Sequence, residues 1–445
     1  MKIAFVNISN HKSISRGAGY IAGAIKQAGY ELKYYDLIYL SAAQVVKKII
    51  RGNFDVLMIS SMTISFYKAI ELITLLKKVK NIPILLGGVH ATLAGKTLLE
   101  QYKEIDFLCI GEGESMVIEF LKNFNSKNFN TVNNLVYRQG DKIISNKIGA
   151  SENLSELPDF PWNYFWKDSI YNETGFINIF SSRGCPYSCT YCSNSIFLDI
   201  YGKSYLRFRP VDKIIAEINF LIKRYKPKGF FFGDEMLLAN MEHAVKLLTS
   251  FRENFNLPYG CMVRVEHINE QNISLLKKTG CVYVGAGIEC GNEEFRKKYL
   301  NRKMSNDQIE KAFSYLKSAG IQTASFNMIG FPFDYDYSLT EETILLNEKI
   351  KPDNVQFTIF YPFEGTELYK RCYEIQLLDK EKIKQQYDYY SESVLKGISL
   401  KKKLSEINRL FNSNNLTGSS VIKYYKRIRD SIIYRIRKLY LIIFS

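Results

Sequence analysis

Short, uniformly apolar runs recur along the first part of the chain, at residues 2–8, 32–36, 55–60, 82–87 and 106–110. Runs of this length with little alternation suit strands covered on both faces, as in a parallel sheet. Between them the apolar spacing changes to threes and fours, as over residues 67–79, which places those side chains on one helix face. Strand and helix thus alternate five times, and the pattern predicts a doubly wound, flavodoxin-like parallel sheet. Runs at 135–138 and 142–145, turning at Gly140 and Asp141, predict a closing hairpin. Residues 1–150 are expected to form this domain, and Leu157-Pro158-Asp159-Phe160-Pro161 punctuates a linker over 151–170.

A second alternating series follows, with strands expected at 176–180, 229–233, 260–264, 282–289, 323–329 and 355–360. Helical stretches such as 211–224 and 306–317 lie between them. Six βα units predict a partial (β/α)6 TIM-type barrel over 171–365, because a closed one needs eight. Residues 366–445 read as a helical C-terminal region with a basic amphipathic tail. There Val421, Tyr425, Ile428, Ile432, Ile436, Leu439 and Ile443 share one helix face. The fold class is therefore α/β with a helical end.

Composition changes this picture in three places. No run of about twenty apolar residues occurs, so no membrane span is expected, and the N-terminus reads as a strand and not as a leader. Eight cysteines without small-scaffold spacing point to a reducing compartment, and a cytoplasmic location is expected. The formal charge is +15, yet eleven lysines and arginines against two acids from residue 401 onward supply +9 of it. The body is no polyanion-binding surface, and no nucleic acid partner is expected. The tail either lies on an anionic membrane or packs its stripe on the barrel; its apolar end at 439–444 favours peripheral membrane contact or a lipid-linked substrate.

The chemistry concentrates at Cys185, Cys189 and Cys192, directly after the first barrel strand. Barrels place their active residues at the C-terminal ends of strands. Three thiolates on one loop can bind three irons of a 4Fe–4S cluster, and full ligation takes four cysteines. One iron is then open to a ligand. The alternatives are a zinc site or three unrelated thiols, but zinc sites usually add a second Cys or His pair, and none follows. Cys109, Cys261 and Cys281 read as small buried hydrophobes, and Cys372 as an inert lone thiol. No catalytic residue is assigned beyond the cluster ligands.

The run Ser181-Ser182-Arg183-Gly184-Cys185-Pro186-Tyr187-Ser188-Cys189-Thr190-Tyr191-Cys192 resembles the signature of the radical S-adenosylmethionine (SAM) superfamily. The resemblance implies that SAM chelates the open iron and is cleaved reductively to a 5′-deoxyadenosyl radical, with Tyr191 beside the last ligand. Gly233, Asp234 and Glu235 resemble the strand end that holds the SAM ammonium, Glu235 being favoured. Arg264 is the candidate partner for the SAM carboxylate, with a capping arginine as the plain alternative. Glu289, in Ala286-Gly287-Ile288-Glu289-Cys290-Gly291, and Arg302 match the stretch that contacts ribose and methionine, although Cys290 stands where serine is common. Gly330, in Gly330-Phe331-Pro332, matches the approach to adenine, and residues 362–366 resemble the loop after the sixth strand.

The first domain resembles the cobalamin-binding domain of the class typified by anaerobic Mg-protoporphyrin cyclase and cobalamin-dependent methylases. The matching residues are Ser60, Ser61 and Thr63, then Gly87, Gly88 and His90, then Gly111 and Glu112. They follow the third, fourth and fifth strands, where doubly wound sheets bind ligands. The Asp-x-His-x-x-Gly motif is missing, and the first loop offers only His11. No lower cobalt ligand can be named, and His90 reads as a loop hydrogen-bonder. The expected cofactors are a 4Fe–4S cluster, SAM and cobalamin, and the expected partners a small-molecule or lipid-linked substrate and a reductant such as flavodoxin or ferredoxin. Methylation of an unactivated carbon is the leading expectation, a second SAM supplying the methyl through cobalamin. Cyclisation or oxidative rearrangement, tRNA methylthiolation and a non-catalytic cobalamin or SAM sensor are the alternatives. Methylthiolation would need a second cluster, and only Cys109 precedes Cys185.

Overall fold

The computed structural model describes residues 1–8, 15–165, 175–385 and 388–412. Its first sheet contains β1 (Lys2–Ile8), β2 (Glu31–Asp36), β3 (Val56–Ser61), β4 (Ile84–Gly87), β5 (Phe107–Cys109), β6 (Leu135–Gln139) and β7 (Lys142–Ser145). The strand order is β2-β1-β3-β4-β5-β6-β7. The first five strands are parallel, and the β6–β7 hairpin extends the sheet antiparallel beyond β5. Ala4, Val6, Leu57, Ile59, Ile84 and Leu86 face the helices Ala42–Gly52 and Phe66–Lys77. Ile3, Phe5, Val56, Met58 and Leu85 face Arg16–Gln27 and Glu114–Asn123 on the other side. Burial on both faces is why these strands carry no polar alternation. The direction of winding reverses between β1 and β3, so the ligand crevice of such a sheet lies at their C-terminal ends.

The second half contains β8 (Phe176–Ile179), β9 (Ser182–Arg183), β10 (Arg207–Phe208), β11 (Gly229–Phe232), β12 (Tyr259–Met262), β13 (Cys281–Glu289), β14 (Gln322–Ile329) and β15 (Asn354–Ile359). Six of these form a parallel sheet in the order β8-β11-β12-β13-β14-β15, the expected partial barrel. Ile177, Ile179, Phe230, Phe232, Val284 and Ala286 pack outward on the surrounding helices. Phe231, Met262, Tyr283, Ala324 and Phe326 form a separate interior cluster. The antiparallel β9–β10 ribbon escapes the sequence pattern because two-residue strands have no readable period.

The C-terminal region is helical, as expected, over Glu367–Glu374, Lys380–Gln385 and Lys401–Asn412. Residues 388–400 are not helical; this irregular stretch buries Val394, Leu395, Ile398 and Leu400 between the helices Lys380–Gln385 and Lys401–Asn412. Those side chains share a core with Ile329, Phe331 and Ile359, so the region is a cover for the last barrel strands. The described part of the 151–170 linker is also packed: Phe160 meets Tyr20 at 5.4 Å, and Trp162 Nε1 donates to Glu217 at 2.9 Å. The stripe from Val421 to Ile443, and His11, lie outside the described residues. Among the described residues no helix is long and apolar enough to cross a membrane.

Candidate active site

The cysteine loop leaves β8 and is fixed at its root by Asp234, which follows β11. Asp234 Oδ1 accepts from Ser181 N and Ser181 Oγ at 3.0 Å each, and from Ser182 Oγ. Gly184 has φ +93°, and a Cβ there would strike the Tyr205 backbone, so glycine is required. Farther on, Asn301 Nδ2 donates to Ser188 O at 3.0 Å, and Leu368 N donates to Thr190 O at 3.0 Å. Helix Ser193–Tyr201 begins immediately after Cys192, placing the last thiol at a helix N-terminus that favours negative charge.

All three cysteines are free; Cys189 is buried and the other two are partly exposed. Burial pushes the Cys185 thiol up to about 12, and burial together with Cys189 raises that of Cys192. Thiols in so dry a site ionise when a metal takes the proton's place. Among the described residues no three Cys, His, Asp or Glu side chains group as a single ion requires. A cluster instead spreads its thiolate ligands over separate irons, so the donor set fits a three-cysteine cluster better than a mononuclear zinc.

Around the loop the SAM candidates converge, with changed partners. Arg264, nominated for a carboxylate, is committed to the protein: Nη2 pairs with Glu266 at 2.6 Å and Nη1 donates to Cys189 Sγ at 3.4 Å. Its guanidinium lies 3.7 Å over the Tyr187 ring. Asp234 is likewise a brace for the loop, although its Oδ2 is buried without a partner. Glu289 pairs with Arg302 at 3.1 Å, and Arg302 also donates to Gly287 O at 2.6 Å and to Tyr191 OH at 3.2 Å. Arg302 Nε is buried and unpartnered. Glu235 is partly exposed; burial raises its carboxyl and Arg16 opposes this. Gly330 has φ +70°, and a Cβ there would lie 2.5 Å from Leu400; the C-terminal cover therefore accounts for this glycine without adenine. Gly233 backs onto Phe180 and Asn178, and Cys290 is fully buried. Glu235 is also bonded to the Asn194 side chain; the two orphaned polar atoms fit a ligand carrying an ammonium and an acid.

In the first domain Ser60 and Ser61 end β3, and Thr63 opens the turn after it. His90 Nδ1 lies 3.3 Å from Thr63 Oγ1, and its ring packs on Phe66 at 4.0 Å. Burial lowers His90 to about 4, so the imidazole is neutral and already engaged. Gly87 ends β4 and meets Cys109 Cβ. Gly88 has φ +95° and sits against Ser61, whose Oγ is buried without a partner. That orphaned hydroxyl, beside the crevice, fits a polar cofactor group. Gly111 and Glu112 differ: Glu112 N donates to Tyr201 OH at 2.8 Å, and its carboxylate meets Arg207 at 2.7 Å. These two residues face the barrel. Sequence reasoning missed Arg183, Arg207 and Glu114 in this contact, because nothing local in the chain links residues so far apart.

Two family models match this chain, over separate segments. The B12 binding domain family matches residues 6–121, and the radical SAM superfamily matches residues 179–341. The anaerobic magnesium-protoporphyrin IX monomethyl ester cyclase of Cereibacter sphaeroides is 25% identical over 408 residues, covering 86% of this chain. The match spans 65% of that enzyme's length. Hopanoid C-3 methylase of Methylococcus capsulatus is 27% identical over 362 residues, covering 79% of this chain and 67% of the methylase. The fold is that of the radical SAM methyltransferase TsrM from Kitasatospora setae, solved with cobalamin and a [4Fe–4S] cluster bound. The TM-score is 0.68 at 15% identity, over 84% of this chain and 75% of that one.

Proposed function

We propose, from the premise that this chain is a radical SAM enzyme with an N-terminal B12-binding domain, that it methylates an unactivated carbon of a small or lipid-linked molecule. The observation that carries the reading is the set of three free cysteines at the end of β8, with no fourth on their loop, below a doubly wound domain. When bound, the cluster and cobalamin supply the electron for SAM cleavage and the methyl carrier.

The chain's own residues have definable tasks. Cys185, Cys189 and Cys192 hold three irons. Asp234 keeps their loop seated on β11, and Arg264 places positive charge on the Cys189 sulfur, which stabilises a thiolate. Glu235 offers a carboxylate to the SAM ammonium. The Glu289–Arg302 pair holds Tyr191 beside the last ligand. Phe231, Met262, Tyr283 and Phe326 line the barrel interior and exclude water. Ser60, Ser61, Thr63, Gly87 and Gly88 line the crevice for cobalamin.

The likeness to the cyclase, which extends over 86% of this chain, favours ring closure as the second reading. The reductant is proposed to be a flavodoxin or ferredoxin, and the basic tail a contact to an anionic membrane that carries the substrate. Anaerobically reconstituted protein, given SAM and a chemical reductant, is expected to form 5′-deoxyadenosine and to shift the spectrum of added hydroxocobalamin. Cys189→Ala should abolish the 5′-deoxyadenosine; product formation at the native rate by that variant would overturn the cluster assignment.

A further inference from the structure

The loop Gly111-Glu112-Gly113-Glu114 follows β5 at the ligand-binding end of the first sheet, yet its carboxylates turn away to the barrel. Glu114 Oε1 meets Arg183 Nη2 at 2.5 Å, and Glu112 Oε1 meets Arg183 Nη1 at 3.3 Å and Arg207 Nη2 at 2.7 Å. A further bond joins Arg207 Nη1 to Glu112 Oε2 at 2.8 Å. The side chains of Glu112 and Glu114 are only 10% and 7% exposed, those of Arg183 and Arg207 20% and 15%. Pairs this dry are weakly screened by salt and costly to break singly. Burial alone would raise the Glu112 carboxyl; its arginines outweigh that and hold it below the ordinary carboxylate range.

The surroundings are built for the same contact. Gly111 has φ +84°, and a Cβ there would strike Tyr201 OH. That hydroxyl accepts from Glu112 N. Arg183 also faces the Tyr20 ring at 5.0 Å. The linker is tied in, since Glu152 N donates to Glu112 Oε2 at 2.7 Å and Glu152 O accepts from Arg207 at 2.7 Å. Arg183 stands two residues before Cys185 and pairs, in β9, with Arg207 of β10. The two arginines are thus the rigid base from which the cysteine loop departs.

We propose that Gly111–Glu114 is an inter-domain clamp, whose two carboxylates grip Arg183 and Arg207 and hold the B12-binding crevice in register with the cysteine loop. Glu112 is on this view a positioning residue and makes no cofactor contact. What the two faces carry rests on the function proposed above; the clamp itself does not. Register matters because reacting groups held on separate domains lose rate steeply when displaced by an ångström.

Glu152 provides the test, because its backbone is held on both sides by the clamp. Glutamyl endopeptidase is applied to the full chain, and the cut after Glu152 is followed by fragment mass. The double variant Glu112→Gln with Glu114→Gln should be cut there roughly tenfold faster, since cleavage follows the opened population. Its affinity for hydroxocobalamin should change by less than about twofold, the crevice itself being untouched. Glu114→Arg, which sets two cations together, and Arg183→Glu, which sets three carboxylates together, should each open the site further. Unchanged cleavage in the Gln variant, or in either charge reversal, would overturn the clamp. So would lost cobalamin affinity at native cleavage rate, which would make the loop a cofactor contact. If the native chain takes up no cobalamin, the proposed function loses that cofactor while the cleavage ratios still decide the clamp.

Discussion

At the scale of the residue, His90 shows how burial sets chemistry. Its ring is 7% exposed, packed on Phe66 and bonded to Thr63, and it takes a proton only near pH 4 against an ordinary 6.5. The unfolded chain protonates this histidine first, so the unfolded state binds more protons between those values and stability falls with acidification. The expected loss is about 1.4 kcal/mol per pH unit across that window. Urea unfolding at pH 7 and pH 5 should show it in the native chain, and His90→Gln should remove this part of the slope. The contact of Nδ1 with Thr63 Oγ1 at 3.3 Å is what the sequence reading of His90 as a loop hydrogen-bonder leads one to expect. Arg264 teaches a parallel lesson: its position after β12 is legible, but its partners Glu266 and Cys189 are decided by folding.

At the scale of the element, the loops after β3 and β4 must pass within contact distance. A Cβ on Gly88 would lie 2.5 Å from Ser61 O and 2.8 Å from Ser61 N, both backbone atoms that cannot step aside. Gly95 has φ +64° but nothing within 4 Å. Gly88→Ala should therefore cost roughly 3 kcal/mol or more, combining strain with overpacking. Gly95, at φ +64° and ψ −150°, carries backbone strain without a close contact, so Gly95→Ala should cost less, about 1–3 kcal/mol. Midpoints of urea unfolding compare the two directly, and equal losses would contradict the close approach of these loops. Glycines at strand ends resemble cofactor cradles in sequence; at Gly111 and Gly330 the space a side chain would take is filled by Tyr201 and Leu400.

At the scale of the whole molecule, the proposed membrane contact falls to the basic stripe beyond residue 420, outside the described residues. Deleting residues 421–445 should abolish co-flotation with anionic liposomes and leave that of neutral liposomes at background; unchanged flotation would remove membrane contact from the function. What the sequence by itself determined was the order of elements and the chemistry at strand ends. Apolar runs buried on both faces mark parallel strands without tertiary help, and Cys185, Cys189 and Cys192 are neighbours because they share one short loop. Only the tertiary structure decided which carboxylate meets which arginine. The Glu112–Arg207 and Glu114–Arg183 contacts join residues 95 and 69 positions apart, and the irregular cover at 388–400 is buried through partners supplied by β14 and β15. Local patterning records how a segment will fold, whereas ion pairs between domains depend on docking, which leaves no period in the chain.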